Sequence, residues 1–389
     1  MKKTPPPLSL GFIGGSLHSA VGYAHRVACA MDGRWALEAG CFSRHEEENH
    51  ATAAAYGVSS DRTYDTWKEL LLGEKDRLDA VAILTPTPAH AEIVVDCLRA
   101  GMPVICEKAL AVDSDEAKQI LTALRENKGF LAVTYNYSGY PMVRELRSLI
   151  RGGALGKVLH FQAEMPQEGF IRLDARGNKP VPQSWRLEDG KVPTIYLDLA
   201  VHLHQVLHYL TGQHPLSVIA DQRSHGWFDV MDNVTCLCRY TDDIQGQIWV
   251  SKSAFGHRNG LRFRIYGSEA SAEWFQANPE ELILSFIDGR RQVLDRAATV
   301  EVAGLRRYNR FKAGHPAGFI EAFANLYGDL ADALNTFRAG GTWTSDEVFS
   351  ADLALEGLLA LEAMVRSARS MSWEEVGVLG DGCPRESRT

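Results

Sequence analysis

The sequence predicts an α/β protein in two parts: a doubly wound parallel sheet over residues 8–135, then an α+β domain with an open, largely antiparallel sheet over residues 136–389. Three observations predict it. Short apolar runs alternate with helical patterns through the first third of the chain, as in a parallel sheet covered on both faces. The pattern then changes to β-rich runs separated by turn residues, most of them without helices between. Finally, 389 residues exceed what one ordinary hydrophobic core holds.

The elements follow in order. "LSLGFI" (8–13) reads as a buried strand, with a helix from about Ala20 to Met31. "WALEAGCFS" is a second strand, and "HEEENHATAAAYG" a helix closed by Gly57. A short helix at "TWKELLL" precedes the strongly apolar strand "LDAVAILTPT", which Pro86 stops. "AHAEIVVDCLRAG" is a helix ending at Gly101, and "PVICEKA" a strand. "SDEAKQILTALRENKG" is a helix with Ser114 as its expected N-cap, and "LAVTYNY" is the last strand of the series. Beyond it, "PMVRELRSLIRGGALG" is a helix. "KVLHFQAEM", "NVTCLCRYT", "GQIWVSKSA", "LRFRIYGS", "SAEWFQ" and "LILSFI" are strands. "TIYLDLAVHLHQVLHYLTG" is a helix that interrupts them, and two long helical patterns near 316–338 and 345–368 close the chain.

Composition excludes some partners. With 45% apolar and 23% charged residues the chain is globular, and 41 Lys plus Arg against 49 Asp plus Glu give a net charge of −8. An acidic chain without a basic cluster is a poor match for nucleic acid or an anionic membrane. No apolar run approaches the ~20 residues that span a bilayer, and "MKKTPPPLSL" holds no apolar signal core. The seven cysteines are odd in number, sit mostly in apolar runs, and form no second pair to complete a zinc site. Buried free thiols in a reducing cytoplasm are the expectation. The polar end "GDGCPRESRT" is expected to fray.

In an open parallel sheet, ligands bind outside the carboxyl ends of the strands. At the first such end stand Gly11, Gly14 and Gly15, followed by Ser16 where a third close-packed glycine would be expected. Glycines there let backbone N–H groups approach a pyrophosphate at a helix N-terminus. The second strand ends in Ser43 and Arg44 where NAD-binding domains usually carry an acid; a hydroxyl and a guanidinium suit a 2′-phosphate and point toward NADP, leaving NAD or NADP open. Thr85, Pro86 and His90 follow the third strand. Glu107 and Lys108 end the fourth, where an ammonium can hydrogen-bond a substrate hydroxyl. Asp198 and His202, spaced i, i+4, share one helical face and form a proton-transfer pair with an incoming lysine. His204 lies about 200° around the helix with His208 beneath it, so the three histidines do not converge on a metal without help from elsewhere; no metal is expected. Tyr135, Asn136 and Tyr140 follow the last parallel strand, Trp185 and Arg186 precede the Asp198 helix, and His315 lies before a late helix. Aromatic faces and planar donors suit a sugar ring.

The glycine turn, "AILTPTPAH", "EKA" and "LDLAVH", in this order over essentially the whole chain, resemble the Gfo/Idh/MocA oxidoreductase superfamily. The resemblance implies Lys108, Asp198 and His202 as the catalytic group, with His202 the acid/base, and Gly11, Gly14, Thr85 and His90 as cofactor-binding positions. Three departures stand out: Ser16 and a longer loop in the first turn, Ala109 in place of the usual proline after Glu107-Lys108, and Val201 before His202. In that family the peptide after the lysine is often cis, so Ala109 leaves either isomer open.

The expected activity is hydride transfer between a nicotinamide and a hydroxyl or keto carbon of a sugar, sugar derivative or cyclitol. Alternatives are a keto-sugar reductase, a redox-neutral epimerase or eliminase that recycles its cofactor, and an inactive nucleotide-binding sensor. An uncovered apolar face on the second sheet is expected to drive assembly into a homodimer or homotetramer.

Overall fold

The computed structural model describes residues 6–378. The end expected to fray, with Cys383, lies outside the described residues. The first sheet has five parallel strands in the order β2-β1-β3-β4-β5: β1 Leu8–Gly14, β2 Trp35–Cys41, β3 Ala80–Leu84, β4 Val104–Glu107 and β5 Leu131–Thr134. Side chains alternate across it and divide its packing into two cores. Ile13, Val81, Ile83 and Val133 pack against α3 (Trp67–Glu74), α4 (His90–Arg99) and α5 (Ser114–Glu126). Leu10, Phe12, Ala82 and Ala132 pack the other way, on α1 (Gly22–Met31) and α2 (Glu46–Tyr56). The helix caps explain the breaks: Thr66 and Glu69 form a capping box on α3, and Gly57 closes α2 in the left-handed region. The cap of α5 is Asp113, whose carboxylate accepts from the N–H groups of Asp115 and Glu116; Ser114, expected there, is the first helical residue.

The second sheet runs β13-β12-β11-β10-β6-β9-β8-β7-β14. Its strands are β6 Val158–Pro166, β7 Pro215–Arg223, β8 Asn233–Tyr240, β9 Ile244–Ser251, β10 Arg262–Gly267, β11 Ala270–Phe275, β12 Leu282–Phe286, β13 Arg291–Leu294 and β14 Glu374–Glu375. All neighbours are antiparallel except β6 and β9. Helices α6 (Pro141–Arg151), α7 (Val201–Thr211) and α9 (Ala351–Ser370) cover one face. The other face is open and of mixed character, with Leu237, Trp249 and Val293 among its outward residues. Its outward positions hold Gln162, bonded to Gln247, and Arg264, paired with Glu164 and Glu273. Alternation, visible as buried-exposed repeats in β8 and β9, sends most of their apolar side chains to the helices.

Helix α8 (Phe319–Gly340) crosses back to the first sheet. Phe323, Leu326, Tyr327, Leu330 and Leu334 join the core formed by β1, α1 and α2. Trp35 Nε1 donates to the Tyr327 carbonyl at 2.8 Å, and Val133 bridges to Phe349 just before α9. Among the described residues no helix is long and apolar enough to cross a membrane.

Candidate active site

The site forms where β4 ends and the chain segment before α7 passes over it. The helix expected from residue 194 is not uniform: Tyr196–Ala200 is a π-helical turn that runs into α7. Such widened turns recur at functional sites, and this one contains Asp198. The Lys108–Ala109 peptide that precedes the site is cis.

Three cations meet on Asp198. Lys108 Nζ donates to its carbonyl at 2.8 Å and to Oδ1 at 3.1 Å. Lys252 Nζ donates to Oδ2 at 2.8 Å, and Arg186 Nε stands 3.2 Å from Oδ2. Burial would raise the Asp198 pKa, but Lys252, Lys108 and Arg186 together hold it well below the carboxylate range. Burial pulls the Lys252 ammonium down, against Asp198. One carboxylate thus faces three cations, a local excess of positive charge in a side-chain cluster that is 4% (Lys252) to 24% (Arg186) exposed.

His202 lies in the first turn of α7 and is buried, with Tyr137 edge-on at 4.8 Å and Tyr135 at 6.2 Å. Its pKa is driven well below the ordinary imidazole value by burial first and Lys108 second, with Asp198 opposing. The ring is therefore neutral near pH 7, and its Nδ1 has no hydrogen-bond partner. Lys108, Asp198 and His202 are thus brought together. Trp185 is half-buried beside them, with the Arg186 guanidinium over its ring at 4.8 Å.

At the strand ends around this cluster, His90 stands between two carbonyls, Nδ1 2.8 Å from Ala109 O and Nε2 2.8 Å from Thr85 O, and so braces β3 against the cis peptide. Glu107 faces inward, accepting from Thr134 Oγ1 and standing 2.9 Å from His25 Nε2, while His25 Nδ1 meets Tyr327 OH at 2.8 Å. Tyr135 and Tyr140 are both packed in the core, Tyr140 stacked on Tyr137 at 6.2 Å. His315 is exposed, rests on Phe311 and gives its carbonyl to Arg296; none of these contacts involves the Asp198 cluster.

The residues fit a dinucleotide. Gly14 and Gly15 have φ of 82° and 77°, and a Cβ on Gly14 would come 2.8 Å from Thr85 N. Two buried polar atoms at the strand ends, Thr85 Oγ1 after β3 beside Gly14 and Asn136 Nδ2 after β5, have no protein partner. Pro86 follows Thr85 in extended backbone and begins the turn into α4. Gly11 sits inside β1, where a Cβ would come 2.6 Å from Leu78 Cδ1, three residues before the turn proper. The close-packed glycine expected at Ser16 is present farther on: a Cβ on Gly22 would collide with the Gly15 carbonyl. Ser16 instead hydrogen-bonds Glu48, which also accepts from Ser43 Oγ at 2.8 Å. Those two bonds, Ser16 first, lower the Glu48 pKa, so an ionised carboxylate stands at the end of β2 while Arg44 is exposed.

Four of these residues escaped the sequence reading. Lys252 carried a signal: Ile244, Ile248 and Val250 face inward, and Lys252 continues the same parity. Gly22 was legible as the next glycine after the loop. Tyr137 and Glu48 had no distinguishing pattern.

Comparison with known proteins agrees with this geometry. Residues 9–135 match the oxidoreductase family with NAD-binding Rossmann fold, and residues 143–273 match the GFO/IDH/MocA C-terminal domain. An uncharacterized oxidoreductase, YfiI of Bacillus subtilis, is 30% identical over 95% of this chain and 97% of its own. Levoglucosan dehydrogenase of Pseudarthrobacter phenanthrenivorans is 26% identical over 95% and 98%. The crystal structure of an inositol dehydrogenase homolog from Azotobacter vinelandii, complexed with NADH and myo-inositol, superposes with a TM-score of 0.85 at 26% identity, covering 95% of this chain and 98% of that one. With a nucleotide-type sheet, a fitting glycine turn and relatives along its whole length, the chain belongs to the Gfo/Idh/MocA family of NAD-binding oxidoreductases.

Proposed function

We propose that this oxidoreductase dehydrogenates a hydroxyl of a sugar, sugar derivative or cyclitol, with Lys108, Asp198 and His202 as its catalytic group. The observation that carries the reading is the cluster itself: a neutral imidazole beside a carboxylate that is outnumbered by cations, next to a glycine turn shaped for a dinucleotide. A bound nicotinamide accepts or returns the hydride.

The chain's own residues do the rest. An ammonium has three donors, and Asp198 takes two from Lys108, leaving the third for the substrate hydroxyl. The surplus positive charge stabilises the alkoxide that develops there. The neutral His202 ring receives the hydroxyl proton. Lys252 and Arg186 hold Asp198 ionised and oriented, and Arg186 with Trp185 offers a planar donor and an aromatic face to a sugar ring. Thr85 and Asn136 line the nicotinamide side, with buried His90 bracing the strand end behind them, and Gly14, Gly15 and Ser16 line the pyrophosphate. The Glu48 carboxylate at the end of β2 repels a 2′-phosphate and favours NAD over NADP. Relatives named as inositol 2-dehydrogenase and levoglucosan dehydrogenase support the substrate class.

Incubating the protein with NAD and a panel of cyclitols, hexoses and anhydrosugars tests this. Reduced nicotinamide should accumulate with at least one of them. Product without net reduction would replace it with a redox-neutral reaction, and neither across the panel would leave a non-catalytic binder. We further propose a cytoplasmic homodimer or homotetramer. The free, buried state of every described cysteine fits the first part, and light scattering against the 43.0 kDa chain mass tests the second.

A further inference from the structure

The far end of α7 holds a second cluster that the proposed reaction does not use. His208 sits in the last turn of the helix. Gly212, at φ 68°, ends the helix and turns the chain back, so that His214 comes to lie against His208 with ring centroids 5.0 Å apart. From α9, Glu356 reaches the same point, its Oε2 2.6 Å from His214 Nδ1. One ligand atom each from His208, His214 and Glu356 lies within 4.8 Å of the others. The help that the histidines of α7 lacked in sequence therefore comes from the following turn and from a helix some 140 residues later, a separation shown by the His214–Glu356 contact spanning 142 positions.

We propose that His208, His214 and Glu356 form a binding site for a divalent first-row transition ion of the zinc type. The donor set argues for the class of ion: two imidazoles and one carboxylate suit zinc, cobalt or nickel and are foreign to magnesium or calcium, which take oxygen ligands. Ligand distances of about 2.0–2.2 Å require the donor atoms to draw in to roughly 3.4 Å of one another, a rotamer-scale movement. His208 Nδ1 stands 3.3 Å from the Gln213 carbonyl; with the ring proton donated there, the Nε2 lone pair is left for a metal, the usual outer-sphere arrangement. Glu356 is 7% exposed, yet its Oε1 has no hydrogen-bond partner, with His204 Nε2 standing off at 3.6 Å. A buried carboxylate oxygen without a partner is costly, and a bound cation removes the cost. The His214 side chain is 29% exposed, which provides entry for the ion and a fourth position for water. His202 projects from another side of α7, about 240° around for a separation of six residues, so this site is distinct from the Asp198 cluster.

The test uses the full chain, stripped with a chelator and dialysed, then titrated with ZnCl2 by calorimetry and with CoCl2 by its visible ligand-field bands. One equivalent of Zn2+ and the intense bands of four-coordinate Co2+ are expected. His208→Gln and Glu356→Gln should each weaken binding by at least about tenfold while NADH binding stays at the wild-type level. Uptake below one equivalent, weak six-coordinate Co2+ bands, or wild-type affinity in His208→Gln would overturn the proposal. If Glu356→Gln fails to fold, as judged by lost NADH binding, His208→Gln and the Co2+ spectrum of the unmodified chain still decide.

Discussion

Replacing Asp198 by Asn keeps the shape of the side chain and removes the negative charge shared by Lys108, Lys252 and Arg186. At an effective dielectric constant of about 20, a charge pair at the 2.8 Å of Lys252 is worth about 6 kcal/mol gross, and at the 3.1 Å of Lys108 about 5 kcal/mol. Most of that offsets desolvation, and the cations also repel each other. Breaking a buried pair from one side costs about 3–5 kcal/mol net, and this is the expected loss of unfolding free energy near pH 7. The pH dependence identifies the cause. Lys252 has a folded-state pKa below its ordinary 10.5, because burial outweighs Asp198. The unfolded chain therefore binds more protons between the folded value and 10.5, and stability rises with pH through that window. Removing Asp198 lowers the folded value further and widens the window. The deficit of Asp198→Asn should thus be largest near neutrality and shrink as the solution becomes alkaline. Urea titrations of both proteins at several pH values measure it. A deficit below about 1 kcal/mol, or one that is constant with pH, would refute the account of a carboxylate neutralising buried cations.

Lys108→Met should lower kcat by about a hundredfold or more with NADH affinity nearly intact. Because burial and Lys108 both depress the His202 pKa, the base of the wild type stays deprotonated well below the ordinary 6.5 and is lost only as pH falls through its lowered value; in Lys108→Met the acid limb of kcat/KM should move upward, as steady-state pH profiles would show. Glu48→Gln should raise the NADP to NAD ratio of kcat/KM by roughly three- to tenfold, with a ratio unchanged from wild type removing Glu48 from cofactor choice. Gly22→Ala drives a methyl group into the Gly15 carbonyl and should cost about 1–3 kcal/mol along with cofactor affinity, readable by thermal unfolding with and without NADH.

Much of this was legible in the residues. The alternation of apolar runs and helices marks β1 to β5 because each buried strand is short and mostly apolar, with glycine ending β1 and Pro86 ending β3. The pairing of Asp198 with His202 follows from spacing on one turn, although the turn proves π-helical. What spacing alone does not reveal is convergence from distant segments. Lys252 approaches Asp198 across 54 positions, and Glu107 is spent on His25 across 82, so it is a strut between layers. Strand β7, which continues from α7 through Pro215, is hard to read from sequence because its polar outward residues dilute the apolar signal. The alternation in β8 and β9 also places polar residues such as Gln245 and Gln247 on the open sheet face, beside Leu237 and Trp249.

The return of α8 to the first sheet bears on how the chain is made. Phe12, Ala24 and Trp35 emerge early in synthesis, but the residues that cover them, Phe323, Tyr327 and Leu330, follow some three hundred positions later. The nucleotide-binding half cannot close one side of its core on the ribosome, and it must wait, partly open, for nearly the whole polypeptide. A nascent or truncated chain ending near residue 135 presents that apolar surface to solvent and to chaperones, so the two halves, separable on paper, mature as one.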